Sequence, residues 1–285
     1  MLLFFRRKNT LYDIDDAEYL NFPPSTINYF MKNCEACSVG SKALKKYAEK
    51  FNSNVFLLTS PIIAHNKIKK ERNKTLTIGW IGFYNTDEKD TDEYAHKKSI
   101  YKLFLPALLD IEFKIKLVII GITSKRDKKE INDYFSRNKN ISIEIPENIN
   151  WQDELSIYDR IKEFDIGISP LLDTERNRAK SAFKLKQYFS CGVPALGSSV
   201  GENSAFLENG VNGYLCETPD DYKKTISKLK FMSEADFNQF SSNALKSVVD
   251  FKMKTYCCSF LRFYENSVII EEVYKDEPEA IEEIV

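Results

Sequence analysis

From residue 76 to residue 216, short apolar runs alternate with amphipathic stretches, and few folds accept that rhythm. The runs 76–81, 116–120, 141–145, 165–171 and 193–196 are continuously apolar rather than alternating. Strands of that kind are buried on both faces, as in a parallel sheet covered by helices on each side. Between them, 94–109 sets Ile100, Leu103, Phe104, Ala107 and Leu108 on one face of a helix, and Pro106 inside that run is expected to kink or divide it. A charged helix is expected over 125–135, and Leu155, Tyr158 and Ile161 stripe another. Gly192 reads as the left-handed cap of a helix over 181–190, with Pro194 forbidding its continuation. Thr218 and Pro219 read as an N-cap and first helical residue. The fold class is α/β: a doubly wound parallel sheet, preceded by part of a second α/β unit.

That second unit is read from residues 1–70. A basic, apolar strand over 1–12 leads into the acidic cluster Asp13, Asp15 and Asp16. A helix over 27–36, a short strand over 38–40, a helix over 41–52 capped by Ser41 and a strand over 54–58 follow. The polar, aperiodic stretch 65–74 reads as a linker, with the larger domain over 75–250 and a closing helix and acidic tail over 251–285.

Composition narrows the function more than the fold. A net charge of −1 leaves no field for nucleic acid. The segment before Arg6, Arg7 and Lys8 is too short to span a bilayer, and its charge order is the reverse of a signal peptide. Six scattered cysteines suit a reducing cytoplasm, and Cys34-x-x-Cys37 has no second Cys or His pair beside it. The cluster Asp13, Asp15 and Asp16 reads as a strand-end loop rather than a magnesium or manganese site. No spaced-glycine dinucleotide fingerprint and no Ser-His-Asp or zinc pattern is visible.

What chemistry the chain carries is concentrated over 176–213. A loop bearing Arg176, Arg178 and Lys180 runs into a short helix, and the small polar turn 197–201 follows the next strand. In an open parallel sheet these loops form the ligand crevice, and cations with backbone N–H groups there point to a phosphate ester. The stretch Lys180-Ser-Ala-Phe-Lys-Leu-Lys-Gln-Tyr-Phe-Ser-Cys-Gly-Val-Pro, then Ser199-Val-Gly-Glu-Asn and Asn209-Gly-Val-Asn-Gly, resembles the donor-binding half of the group 1 (family 4) glycosyltransferases. Those enzymes face two Rossmann-like domains across a cleft, the GT-B arrangement.

The resemblance implies transfer of a sugar from a nucleoside-diphosphate donor to a glycan or lipid-linked acceptor, retaining and metal-independent, with no cofactor beyond the nucleotide sugar. It implies donor contacts from Gly82, Lys180, Ser181, Lys184, Gln187, Gly201, Glu202 and Asn203; no catalytic residue can be assigned. Lys184 either binds ligand or lies along the helix as a solvated charge, Arg176 and Arg178 are alternates to Lys180, and Lys97 and Lys98 are the candidate phosphate contacts after Gly82, equally readable as plain helix surface. The loop 145–151 is the base shelf by position, with Trp151 equally readable as core. The family's Glu-x7-Glu pair falls here on Ala179 and Gln187, and Ala179 cannot reach a sugar hydroxyl. Residues 1–70 resemble only the last third of the family's acceptor-side domain. That leaves an incomplete copy, a chain completed by a partner, or a non-catalytic nucleotide-sugar-binding or assembly subunit, in the cytoplasm or peripheral to the inner face of the membrane. An epimerase on the same fold is a third reading.

Overall fold

The structure, a computed structural model, describes residues 10–69, 71–84, 96–147 and 149–267. It divides into two compact units. The smaller comprises residues 1–64, 178–181 and 250–285, and the larger 65–177 and 182–249.

In the larger unit six strands form one wholly parallel sheet. They are β4 (Leu76–Ile81), β5 (Ile115–Ile120), β6 (Ile141–Glu144), β7 (Ile166–Ser169), β8 (Ala195–Gly197) and β9 (Gly213–Leu215), in the order β6-β5-β4-β7-β8-β9. Chain order reverses between β4 and β7, which is the topological switch point of a doubly wound sheet. Ile78, Trp80, Leu117, Ile119, Ile166, Ile168 and Leu196 form one face of the core together with Phe104, Tyr222 and Phe237 from the covering helices. On the other face α8 (Phe183–Ser190) packs so closely that a Cβ on Gly167 would enter the Tyr188 ring.

The helix carrying Pro106 solves its missing donor locally. It runs from α3 (His96–Ser99) through a π turn (Ile100–Phe104) into α4 (Leu105–Leu108), and the Leu105 N–H reaches back to the Ile100 carbonyl. A proline has no N–H to give its i−4 carbonyl, and the wider turn absorbs the mismatch without breaking the helix. Residues 94 and 95 of the expected helix lie outside the described residues. Gly192 has φ +69°, as its capping role requires, and Thr218 with Asp221 closes a full capping box on α10 (Pro219–Lys230).

The stretch 65–74 is not a free linker. His65 donates from Nε2 to Ser190 Oγ (2.9 Å), the Lys69 N–H bonds the Cys191 carbonyl (2.8 Å), and Lys69 Nζ meets Asp165 (3.1 Å). Arg72 caps the end of α10 through the carbonyls of Leu229, Lys230 and Met232. Its lack of an apolar stripe reflects docking by hydrogen bonds rather than by buried area.

His65 Nδ1 accepts the Lys67 N–H (3.1 Å) and the ring stacks on Tyr158. Burial first, then the Lys67 charge, holds its pKa below the ordinary 6.5. The unfolded chain therefore takes up a proton that the folded chain resists. Stability should be level above pH 6.5 and fall as the pH drops below it. His65→Gln should flatten that part of the urea-unfolding profile; an unchanged slope would assign the loss to other groups.

The smaller unit holds a three-stranded parallel sheet, β1 (Leu11–Ile14), β2 (Ala36–Val39) and β3 (Val55–Leu57), with α1 (Pro24–Asn33) and α2 (Lys42–Ala48). Strand β3 pairs only with β2 among the described residues. Asp13 lies within β1 rather than in a loop after it, and residues 1–9 of the expected strand lie outside the described residues. The last described helix, α12 (Met253–Ser267), belongs to this unit rather than to a separate closing segment. The Ile62 N–H bonds the Phe251 carbonyl, and the Phe56 and Phe263 rings lie 3.8 Å apart. Residues 268–285 of the acidic tail lie outside the described residues.

Candidate active site

At the switch point the ladder between β4 and β7 stops early. Only Ile78↔Ile166 and Gly79↔Gly167 are paired, whereas β4 pairs with β5 over its full length. Continuing that register, the Ile81 N–H would bond the Ile168 carbonyl directly. Instead the Tyr188 hydroxyl stands between them, accepting from Ile81 N (3.2 Å) and donating to Ile168 O (3.2 Å). Burial keeps this phenol far above its ordinary pKa, so it remains a donor at all ordinary pH. A side chain on α8 thus stands between the carboxyl halves of β4 and β7 and bridges them.

Two glycines let the backbone close on itself at the rim. A Cβ on Gly121, after β5, would strike the Gly82 carbonyl, and one on Gly82 would lie 2.7 Å from Lys184 Cε. Lys184 therefore crosses the end of β4 with its Nζ 5.8 Å from the Trp80 ring centroid and 3.0 Å from His96 Nε2. Phe83 stands 74% exposed beside it, in the loop where a phosphate-binding cation was sought; Asn85 and Thr86 of that loop lie outside the described residues. Trp151 is 49% exposed and so is not core. It lies over Gly121 at one wall of a cleft of about 330 Å³ that Thr123, Lys128, Pro146 and Ile149 also line.

The other expected site residues separate into distinct roles. Lys180 and Ser181 belong to the smaller unit, not to the unit that carries Lys184 and Gln187. There Lys180 Nζ pairs with Asp16 (3.4 Å), and the Ser181 carbonyl accepts from Thr59 (3.5 Å). Gln187 is 7% exposed on α8. Gly201 has φ +56° and starts the turn into α9 (Asn203–Phe206). Glu202 is nearly buried; Asn203 is buried, and its amide donates to the carbonyl and hydroxyl of Ser169 at the end of β7. Asn203 thus fixes the crevice floor from behind. Lys97 is taken up by Asp127 (2.8 Å) and Glu130 (2.6 Å) of α5 (Lys125–Tyr134). Arg176 is buried.

In the acidic cluster, Asp13 accepts from Ser38 and Asp15 from Ser60 (2.8 Å), so each carboxylate has a local partner. Ala179 is fully buried in the smaller unit's core. Sequence reasoning missed His96, which carries no motif, and Lys186, fully buried on α8. A cavity of about 860 Å³ lies at the amino ends of β5 and β6, where Asn138 satisfies loop carbonyls. That is not the ligand end of such a sheet.

A doubly wound parallel sheet with a lysine across the end of β4 and a half-exposed indole over Gly121 has the Rossmann-like architecture. Residues 90–230 match the family model of the group 1 glycosyl transferases. The fold is that of GT-B glycosyltransferases. Sucrose-phosphate synthase from Thermosynechococcus elongatus superposes with a TM-score of 0.64 at 10% identity, over 90% of this chain and 67% of that one. HepE of Anabaena, solved with UDP and glucose, gives 0.64 at 11% identity, over 90% and 71%. A TarM variant from S. aureus, solved with UDP, Fondaparinux and alpha-GlcNAc-glycerol, gives 0.60 at 15%, over 84% and 46%. No curated protein matches the sequence. Among the described residues no helix is long and apolar enough to cross a membrane.

Proposed function

We propose that the protein is a glycosyltransferase that moves a sugar from a nucleoside-diphosphate donor to a glycan or lipid-linked acceptor, with retention of configuration and without a metal ion. The observation that carries this reading is Lys184 lying across Gly82 at the end of β4. An ammonium there meets the charge that grows on the departing diphosphate, in a crevice whose walls are low in dielectric. Trp151 supplies a stacking surface for the base, and the cleft beneath it has the size of a heterocycle with its ribose. The donor contacts proposed are Gly82, Lys184, Gln187, Gly201 and Glu202 of the larger unit. A cytoplasmic place of action, at or near a membrane's inner face, and a partner chain beside the smaller unit both suit a lipid-linked acceptor.

UDP is the first base to test, since HepE and TarM were solved with it. Titration calorimetry with UDP, GDP and ADP in EDTA should detect one of them at millimolar concentration or below. If none binds, the donor-site reading falls. Asp15→Asn should leave that binding unchanged with or without Mg²⁺, because Asp15 is engaged by Ser60. A loss that appears only when metal is added would favour a metal-dependent transferase. One observation favours a second reading, a nucleotide-sugar-binding subunit without catalysis. Ala179 stands where the family has its first Glu, and it is buried in a core. Donor hydrolysis and transfer assays separate the two.

A further inference from the structure

Nζ of Lys184 lies 3.0 Å from Nε2 of His96. Both side chains rest against Trp80, the imidazole edge-on with its centroid 5.6 Å from the indole's. An ammonium has only hydrogens to offer. At this distance Nε2 must present its lone pair, so the ring is neutral with its proton on Nδ1. His96 is half-buried and is the first described residue of α3.

We infer that His96 is a second phosphate ligand of the crevice, and that a nucleoside diphosphate binds together with one proton, held on His96 Nε2. The inference rests on the donor-site reading above. A diphosphate beside Gly82 draws the Lys184 ammonium onto its own oxygens. His96 Nε2 then loses its donor and faces an anion instead of a cation. A neighbouring negative charge favours the protonated ring, which takes a proton from solvent and donates it, as Nε2–H, to a second phosphate oxygen. Among the described residues Lys184 from α8 meets the ring, and Lys97, its neighbour in the chain, is turned to Asp127 and Glu130. The cradle thus gains a cation only when the ligand is present, which spares the free protein two adjacent positive charges.

The competing role for His96 is a prop that holds Lys184 against Trp80. A prop exchanges no proton, and Gln in its place would still offer an acceptor. Calorimetry of UDP in EDTA at about pH 7.5, where the terminal phosphate is largely ionised, separates the two. Run in two buffers of different ionisation heat, it counts the protons taken up. The wild type should take up part to all of one proton per UDP. His96→Gln and His96→Asn should take up none and bind UDP about ten-fold or more weakly, while uridine binds all three alike.

UDP binding with no proton uptake by the wild type, or with uptake unchanged in both variants, overturns the inference and leaves the donor site standing. Wild type that binds neither UDP nor uridine overturns both. The wild-type proton count needs no variant, so a substitution that fails to fold does not shield the inference.

Discussion

Replacing Asp165 by alanine is expected to lower the free energy of unfolding by about 3–5 kcal/mol, the cost of breaking a buried ion pair from one side. Asp165 is fully buried. One of its oxygens accepts from the Asn73 N–H (2.9 Å) and Lys69 Nζ (3.1 Å), and the other from the Thr77 N–H (2.8 Å). The Lys69 side chain is only 4% exposed, so it cannot find water without opening the strap 65–74. Alanine would strand an ammonium and two N–H groups together, whereas Lys69→Met with Asp165→Asn should recover much of the loss. Urea unfolding of the three variants reads this out. A loss below about 1 kcal/mol for Asp165→Ala would mean that Lys69 escapes to solvent and that the pair is equivalent to a surface one.

The second large effect is expected at Lys184. Its replacement by methionine keeps the apolar stem over Trp80 and against Gly82 and removes only the charge. Charge-assisted hydrogen bonds contribute roughly 1.5–3 kcal/mol each. UDP binding should therefore weaken about ten- to a hundred-fold, at ~1.4 kcal/mol per decade. Uridine, which carries no phosphate, should bind the variant as it binds the wild type. Equal affinity of both proteins for UDP would remove Lys184 from the site and return it to the role of a charge lying on the helix. Gln187→Ala should cost less than Lys184→Met, because it removes at most one neutral bond from a side chain that is already mostly buried.

The features legible in the sequence were those written locally. The apolar runs of β4, β5 and β7 are contiguous, and the stops at Gly192 and Thr218 need only their neighbours in the chain. The motif helix α8 could be placed because its cap and the proline after it are adjacent to it. Residues whose role depends on distant partners were not legible. Lys180 was read as part of the crevice loop because it stands four residues before Lys184, yet its partner Asp16 lies 164 residues away. The strap 65–74 holds by single hydrogen bonds to residues about 90 to 160 positions on, and such bonds leave no periodicity. His96 gave no signal at all, because its meaning comes from the Lys184 ammonium 88 positions later.

The chain passes between the two units four times, at 64–65, 177–178, 181–182 and 249–250. The smaller unit is therefore stitched from three separated pieces, and its Phe56 waits for Phe263. During synthesis the larger unit has all its residues once position 249 is out, while the first sixty residues still lack a third of their partners in sequence terms. The part of the protein made first is thus the part completed last. No single cut in the gene releases either unit whole. Any attempt to exchange the smaller unit for another would have to graft three segments at once, including the four residues from Arg178 to Ser181 that precede α8.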